Sequence, residues 1–258
     1  NGVHFLSHKD RKVVRRFFHD VNDKEGIRSN SIYSLLVDDR GAVWVGHFQA
    51  GLDYSLYQNG LFRTYAYPPQ FNSANLSIRS FVNRGPEKVI GSRDGLFYIN
   101  EATGIVKSFV KPVLTSDLIL TICFYEGEYY IGTYGGGMMV LNPQTLSLKY
   151  FTQGDTELFQ KGHIFCVKPD NRGNLWIGTS QGLFCYNGQT KQIKNFTSTN
   201  SQLPEGNVYE VSFDSTGKGW IATETGMCIY DPASQSLRSN VFPEGFVHKD
   251  KVRTIYED

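Results

Sequence analysis

The chain has 258 residues, with 26 Lys+Arg against 25 Asp+Glu, and so near-neutral a balance gives no electrostatic footprint for nucleic acid or an anionic membrane surface. Aromatic residues make up 14% of the chain and there are 26 glycines, a composition suited to short strands joined by tight turns. The longest apolar run, Leu118 to Tyr125, contains a Thr and is the size of a strand, well short of the roughly 20 residues of a membrane span. Asn1 opens directly into strand-like sequence, so any export signal or membrane anchor is expected outside this sequence.

In chain order, the first predicted element is a partial unit over 1–18, because Asn1-Gly2-Val3-His4-Phe5-Leu6 aligns with Gln181-Gly182-Leu183-Phe184-Cys185-Tyr186. A full unit follows at about 31–67. It reads as the strand Ser31–Val37, the turn Asp38-Asp39-Arg40-Gly41, the anchor Trp44-Val45-Gly46-His47, the strand Gly51-Leu52-Asp53-Tyr54 and the run Leu61–Tyr65. Further units are expected at about 76–109, 118–151, 163–196 and 207–242, and a first strand of the next at 251–258. Their anchors are Val89-Ile90-Gly91-Ser92, Tyr130-Ile131-Gly132-Thr133, Trp176-Ile177-Gly178-Thr179 and Trp220-Ile221-Ala222-Thr223. The third positions of the five anchors are spaced by 45, 41, 46 and 44 residues.

Units of four short strands at this period are the size of propeller blades. A single blade cannot bury both faces, so neighbours must stack. The fold class expected is therefore all-β: a β-propeller of four-stranded blades, five full and one partial at each end, the partial ones either pairing into a sixth blade or marking a cut from a larger ring. An open β-solenoid is the competing architecture, but its coils are usually shorter. In the Asp-x-x-Gly turn the Asp can cap the backbone and Gly supplies a positive φ. The Trp that follows is expected to pack between sheets, and the turn lacks the oxygen pattern of a calcium loop.

Cys123, Cys166, Cys185 and Cys228 each lie in an apolar run, form no CxxC pair, and are expected to be buried small hydrophobes. No nucleophile elbow, His-Glu-x-x-His or phosphate-binding Gly-x-x-x-x-Gly-Lys is present, and Gly135-Gly136-Gly137 is expected to be a loop adaptation. His4, His8, His19, His47, His163 and His248 are scattered. No catalytic residue, metal site or cofactor is expected.

The run Asp170-Asn171-Arg172-Gly173-Asn174-Leu175-Trp176-Ile177-Gly178-Thr179-Ser180-Gln181-Gly182-Leu183 resembles the two-component regulator propeller repeat. The first unit, Asp38 through Gly46 with Gly51-Leu52, is nearly as close, and the fifth has Ala222 in place of Gly. The second and third depart from it, with Asn83-Arg84-Gly85-Pro86-Glu87 and Glu126-Gly127-Glu128 at the turn. The resemblance implies the periplasmic sensor region of a hybrid two-component histidine kinase. In that family, two neighbouring propellers of about seven blades and a small β-sandwich precede a membrane helix and the kinase, and the ligand is an oligosaccharide; signalling is expected to run through domain or homodimer rearrangement. It implies membrane attachment only through the parent chain and no nucleic-acid partner. The repeat marks scaffold, so no binding residue carries over from it.

The residues between anchor and next strand vary while their flanks repeat, which is the pattern of a site grafted on a scaffold. His47, Phe48, Gln49, Arg93, Asp94, Tyr134, Gln181 and Glu224 are the candidate ligand-binding residues. Phe48 and Tyr134 can stack on a sugar face, and the polar members can bond hydroxyls or an acidic sugar. The ring could equally be a structural or protein-docking scaffold. A lyase of the streptogramin-lyase propeller type would need a supported histidine, for which His47 with Glu224 or Asp94 is the combination available. The linkers Tyr67-Pro68-Pro69-Gln70-Phe71 and Phe242-Pro243-Glu244-Gly245-Phe246 mix proline with aromatics and can dock a neighbouring domain or tuck against their own blades.

Overall fold

The structure is a computed structural model that describes residues 2–7, 9–10, 12–23, 26–38, 41–56, 62–64, 76–239, 251–253 and 255. His8, His248, both proline–aromatic linkers, and Asp39 and Arg40 of the first turn lie outside the described residues. Contacts divide the chain into two units, Asn1–Val110 with Asp117–Ile119, and Lys111–Ser116 with Leu120–Asp258.

The first unit opens with β1 (Val3–Leu6) and β2 (Val13–Phe17), paired as a two-stranded antiparallel sheet. β3 (Ile32–Val37), β4 (Ala42–His47), β5 (Leu52–Leu56) and β6 (Phe62–Thr64) make a four-stranded sheet in sequence order. β7 (Ile78–Arg84), β8 (Glu87–Ser92), β9 (Gly95–Asn100) and β10 (Ile105–Phe109) make the next. The second unit holds three more such sheets. They are β11 (Ile119–Tyr125) with β12 (Glu128–Thr133), β13 (Met138–Leu141) and β14 (Leu148–Tyr150); β15 (Ile164–Pro169) with β16 (Asn174–Thr179), β17 (Gly182–Asn187) and β18 (Ile193–Phe196); and β19 (Val208–Phe213) with β20 (Gly219–Thr223), β21 (Gly226–Asp231) and β22 (Ser236–Arg238). The chain is thus all-β, built of the four-stranded meanders that are propeller blades.

Within each unit the cores lie between successive sheets. Trp176 is 1% exposed and packs with Val208, Val211, Ile221 and Cys228 of the following sheet. Trp44 packs in the same way against Phe81 and Ile90. The anchor glycine permits this approach: a Cβ on Gly178 would lie 2.7 Å from the Val208 carbonyl oxygen. Cys123, Cys166 and Cys228 are buried and Cys185 is half-buried, all as free thiols. Desolvation pushes Cys123, Cys185 and Cys228 up to about 12 and Cys166 higher still, so the thiols stay neutral at physiological pH.

The Asp turn has a second use beyond closing a hairpin. Asp170 Oδ1 accepts from Asn174 N–H at 2.8 Å while Oδ2 accepts the Trp176 indole N–H at 2.9 Å. Asp38 with Trp44 and Asp214 with Trp220 repeat the indole bond at 3.0 and 2.9 Å. These carboxylates are engaged by N–H donors of their own hairpins, and Asp38 Oδ2 also accepts from Asn83 Nδ2 of the next sheet at 2.8 Å. The third sheet solves the turn differently, with Glu126 and Gly127 both at positive φ (46° and 84°) in a two-residue hairpin loop.

One feature differs from the sequence expectation. A short helix, α1 (Thr156–Lys161), stands in the linker before β15, capped by Asp155 Oδ1 accepting from Leu158 N–H at 3.0 Å. It forms because Leu158 and Phe159 bury against the third and fourth sheets. Of the expected strand at 251–258, residues 254 and 256–258 lie outside the described residues, and Val252 N–H donates to the Thr223 carbonyl at 3.0 Å.

Candidate functional site

In each antiparallel sheet the start of the first strand lies beside the end of the second. In four of the five four-stranded sheets loop and strand start are tied by a backbone bond: Phe48 N–H to Ser31 O at 2.9 Å, Arg93 to Ser77 at 3.1 Å, Ser180 to His163 at 3.2 Å and Glu224 to Asn207 at 2.9 Å. The varied loops therefore share one end of their blades with residues 31–33, 77–79, 163–165 and 207–209. The fourth anchor residue shapes the loop. Thr179 Oγ1 donates to Gly182 O at 2.8 Å and Thr223 Oγ1 to Gly226 O at 2.9 Å.

At this end four first strands carry the same irregularity. Ile32 pairs with His47 and Ser34 with Gly46, leaving Tyr33 unpaired. Arg79, Phe165 and Tyr209 are extra residues in the same place. A β-bulge re-aims one side chain out of the sheet's alternation. Here the re-aimed residues are large and aromatic or cationic. In the first unit Arg79 lies 4.9 Å over the Tyr33 ring, and Tyr33 packs on Phe48 with centroids 5.3 Å apart. The Arg79 Nε is buried with no hydrogen-bond partner among the described residues. In the second unit Phe165 meets Tyr209 edge to face at 5.2 Å. Lys251 and Arg253 lie 4.9 and 4.8 Å from the Tyr209 centroid.

The loop residues singled out from sequence divide sharply. His47 does not stand in a loop: it is fully buried, with Nε2 2.8 Å from Asp53 Oδ2. That carboxylate also accepts from Arg28 N–H at 2.8 Å, so the ring is locked into the scaffold and is corrected from a ligand contact to a structural residue. The pairing of His47 with Asp94 gives way to His47 with Asp53. Gln49, Arg93 and Asp94 are exposed and Phe48 half-buried in the first unit.

In the second unit Tyr134 is 50% exposed and stacks on His163 at 4.0 Å between centroids. His163 Nδ1 is buried without a partner among the described residues. Gln181 is exposed, one residue beyond the Ser180–His163 backbone bond. Glu224 accepts from Asn207 Nδ2 at 2.9 Å and pairs with Lys251 at 3.1 Å. The hydrogen bond from Lys251 holds the Glu224 carboxyl below its usual range, and bonds to Tyr209 and Glu224 raise Lys251, so both stay charged around neutrality. Tyr134 and Glu224 thus join a group that sequence reasoning missed: His163, Phe165, Tyr209, Lys251 and Arg253. Among the described residues no three His, Cys, Asp or Glu side chains gather to hold a metal ion.

No helix of the described residues is long and apolar enough to cross a membrane. Comparison with curated protein sequences finds no match. Among solved structures, the chain is similar to the extracellular domain of a protein described as a hybrid two component system, BT3049 of B. thetaiotaomicron. The TM-score is 0.75 at 23% identity, over 95% of this chain and 32% of that one. A second extracellular domain so described, BT4673 of the same organism, matches at TM-score 0.60 and 17% identity, over 92% of this chain and 36% of that one. PorZ, a surface component of the type-IX secretion system of Porphyromonas gingivalis, matches at TM-score 0.64 and 16% identity, over 83% and 34%. The chain therefore spans about a third of the length of these structures. The family model for the two component regulator propeller matches residues 26–49 and 159–181, which hold the first and fourth Asp-to-Trp hairpins. The match is confined to these two stretches, and the likeness to the solved structures shows that the chain has a propeller fold.

Proposed function

We propose that this chain is a ligand-sensing propeller from the periplasmic part of a hybrid two-component sensor histidine kinase, and that its ligand is an oligosaccharide. The observation that carries this reading is a division of labour between blade ends. The Asp–Trp hairpin recurs in the first, fourth and fifth sheets and the anchor glycine in the first four, while the opposite end presents Tyr33, Arg79, Phe165 and Tyr209 from four sheets. The similarity to extracellular domains of two-component systems supports the extracytoplasmic setting and a non-enzymatic role. A ligand signals by preferring one of two arrangements of the receptor, so the readout would be repacking of this propeller against neighbouring domains or a second protomer. A thermal-shift screen of the intact ectodomain against neutral and acidic oligosaccharides tests it. A rise in midpoint with one glycan class is expected by mass action, and a flat response across the panel at millimolar concentrations removes the sensing role.

A second reading, a protein-docking scaffold, has its own observation. Leu35 and Val37 on β3 are 57% and 64% exposed, whereas the residues matching Leu35 in the other sheets, Phe81, Ile122, Val167 and Val211, are 9%, 7%, 0% and 1% exposed. An apolar sheet face left open is a surface for another protein segment. This reading predicts partner binding that Leu35→Glu abolishes, with no saccharide response.

A further inference from the structure

We propose that the second unit holds a site for an acidic saccharide, with the ligand carboxylate on Arg253 and a sugar ring against Phe165. The proposal rests on the sensing reading and names the ligand's charge. Both cations beside Tyr209 are held by its ring, yet their charges are balanced differently. Lys251 is neutralised by Glu224 at 3.1 Å. Arg253 is exposed and has no carboxylate partner among the described residues, leaving it with the ring contact of 4.8 Å. A guanidinium stacked on an aromatic ring loses side-chain freedom and keeps its N–H fork for an oxyanion, the geometry that suits bidentate carboxylate binding. Glu224 repels an anion at the Lys251 side, which directs the ligand's charge to Arg253.

Phe165 supplies the apolar half of the contact. It is the bulge residue of the fourth sheet, half-buried, and 5.2 Å from Tyr209 between centroids. Beyond it stands the stacked pair His163 and Tyr134. Aromatic rings beside a cation with no carboxylate partner among the described residues match a pyranose that is apolar on one face and carries a carboxylate at its edge. A neutral sugar leaves Arg253 unused, and the overall formal charge of +1 offers a nucleic acid no extended counter-field.

The test uses the intact chain with trigalacturonate, a glucuronate-containing disaccharide, and the methyl ester of each, titrated calorimetrically. The expected result is that one acid binds about tenfold or more tighter than its ester, the worth of one charge-assisted bond. Arg253→Ala brings the acid down to the ester's affinity and Arg253→Lys recovers part of the loss. Phe165→Ala weakens acid and ester alike, and far-UV circular dichroism checks that each variant is folded. Ester binding equal to acid binding, an unchanged affinity in Arg253→Ala, or binding of neutral oligosaccharides with neither acid bound would overturn the proposal while the sensing role stands. No binding of any saccharide, neutral or acidic, overturns both.

Discussion

The first and fourth blades are the two that match the repeat model, and they close the same loop by different chemistry. In the fourth, Thr179 Oγ1 donates to Gly182 O and accepts from Gln181 N–H, two short-range bonds within one turn. In the first, His47 takes the threonine's place and reaches across to Asp53, which stands where the others carry Phe97, Phe184 and Cys228. Asp53 in turn catches the Arg28 backbone N–H, fixing the segment that leads into the blade. One blade thus exchanged a local hydroxyl clip for a buried histidine–carboxylate pair. Neither member is tolerable alone: an apolar partner would strand Asp53 in the core, and a threonine would be too short to meet it.

That comparison predicts the largest effect. His47→Ala leaves a buried carboxylate without its ring partner and is expected to cost about 3–5 kcal/mol. Thr179→Ala removes one neutral hydrogen bond and is expected to cost about 1 kcal/mol. Urea unfolding of both variants measures the gap. The double variant His47→Thr, Asp53→Phe, which imposes the fourth blade's solution on the first, should recover most of the loss. Equal costs for the two single variants would mean that the pair is a replaceable filler.

The second contrast lies at the opposite blade end. The fourth blade's turn is held by Asp170, which engages a backbone N–H and the Trp176 indole, while the third blade's is held by backbone geometry at Glu126 and Gly127. Asp170→Ala removes the acceptor of four donors, the Arg172 and Asn174 backbone N–H groups, the Asn174 amide and the Trp176 indole, and is expected to cost about 1–3 kcal/mol. Gly127→Ala forces a side chain onto φ 84° and is expected to cost about 1 kcal/mol. Trp176→Phe keeps the packing and drops the indole N–H. Its double-variant cycle with Asp170→Ala isolates the bond, and a coupling near zero would reduce the Asp–Trp motif to a turn signal.

The blades were legible because their determinants are local and periodic. The third anchor position recurs every 41 to 46 residues, and the Asp-x-x-Gly turn marks the first, fourth and fifth units. The residues that build the candidate site were not, for a physical reason. A bulge shifts the two-residue alternation by one, so Tyr33, Arg79, Phe165 and Tyr209 read as ordinary strand positions. The available signal was a bulky, changing residue directly after an otherwise constant Ile or Val: Ile32, Ile78, Ile164 and Val208. His47 was read as a loop histidine because its burial depends on Asp53, a carboxylate in a run that is apolar elsewhere. That mismatch was the clue. Helix α1 hid in a short linker, where only Asp155 followed by Leu158 and Phe159 announced a cap and a buried face.

The smallest expected effect compares Glu210 with its counterparts Ser34, Ser80 and Cys166, each directly after a bulge residue. Glu210 is the carboxylate in this series. Burial raises its pKa, and Lys168 at 3.5 Å offsets that in part. The sign follows from linkage. An acid whose folded pKa lies above its unfolded value near 4.5 binds its proton more tightly in the native state. Its contribution to stability is therefore greatest below the unfolded pKa and is lost as pH rises through the folded one. Glu210→Gln should flatten the pH dependence of the unfolding midpoint above pH 4.5 and stabilise the chain slightly at neutrality, while Lys168→Ala should steepen it. Unfolding midpoints from pH 4 to 8 decide the matter. A Glu210→Gln profile parallel to that of the unmodified chain would show that Lys168 balances the buried charge in full, and that the fifth blade carries its carboxylate at no cost to the fold.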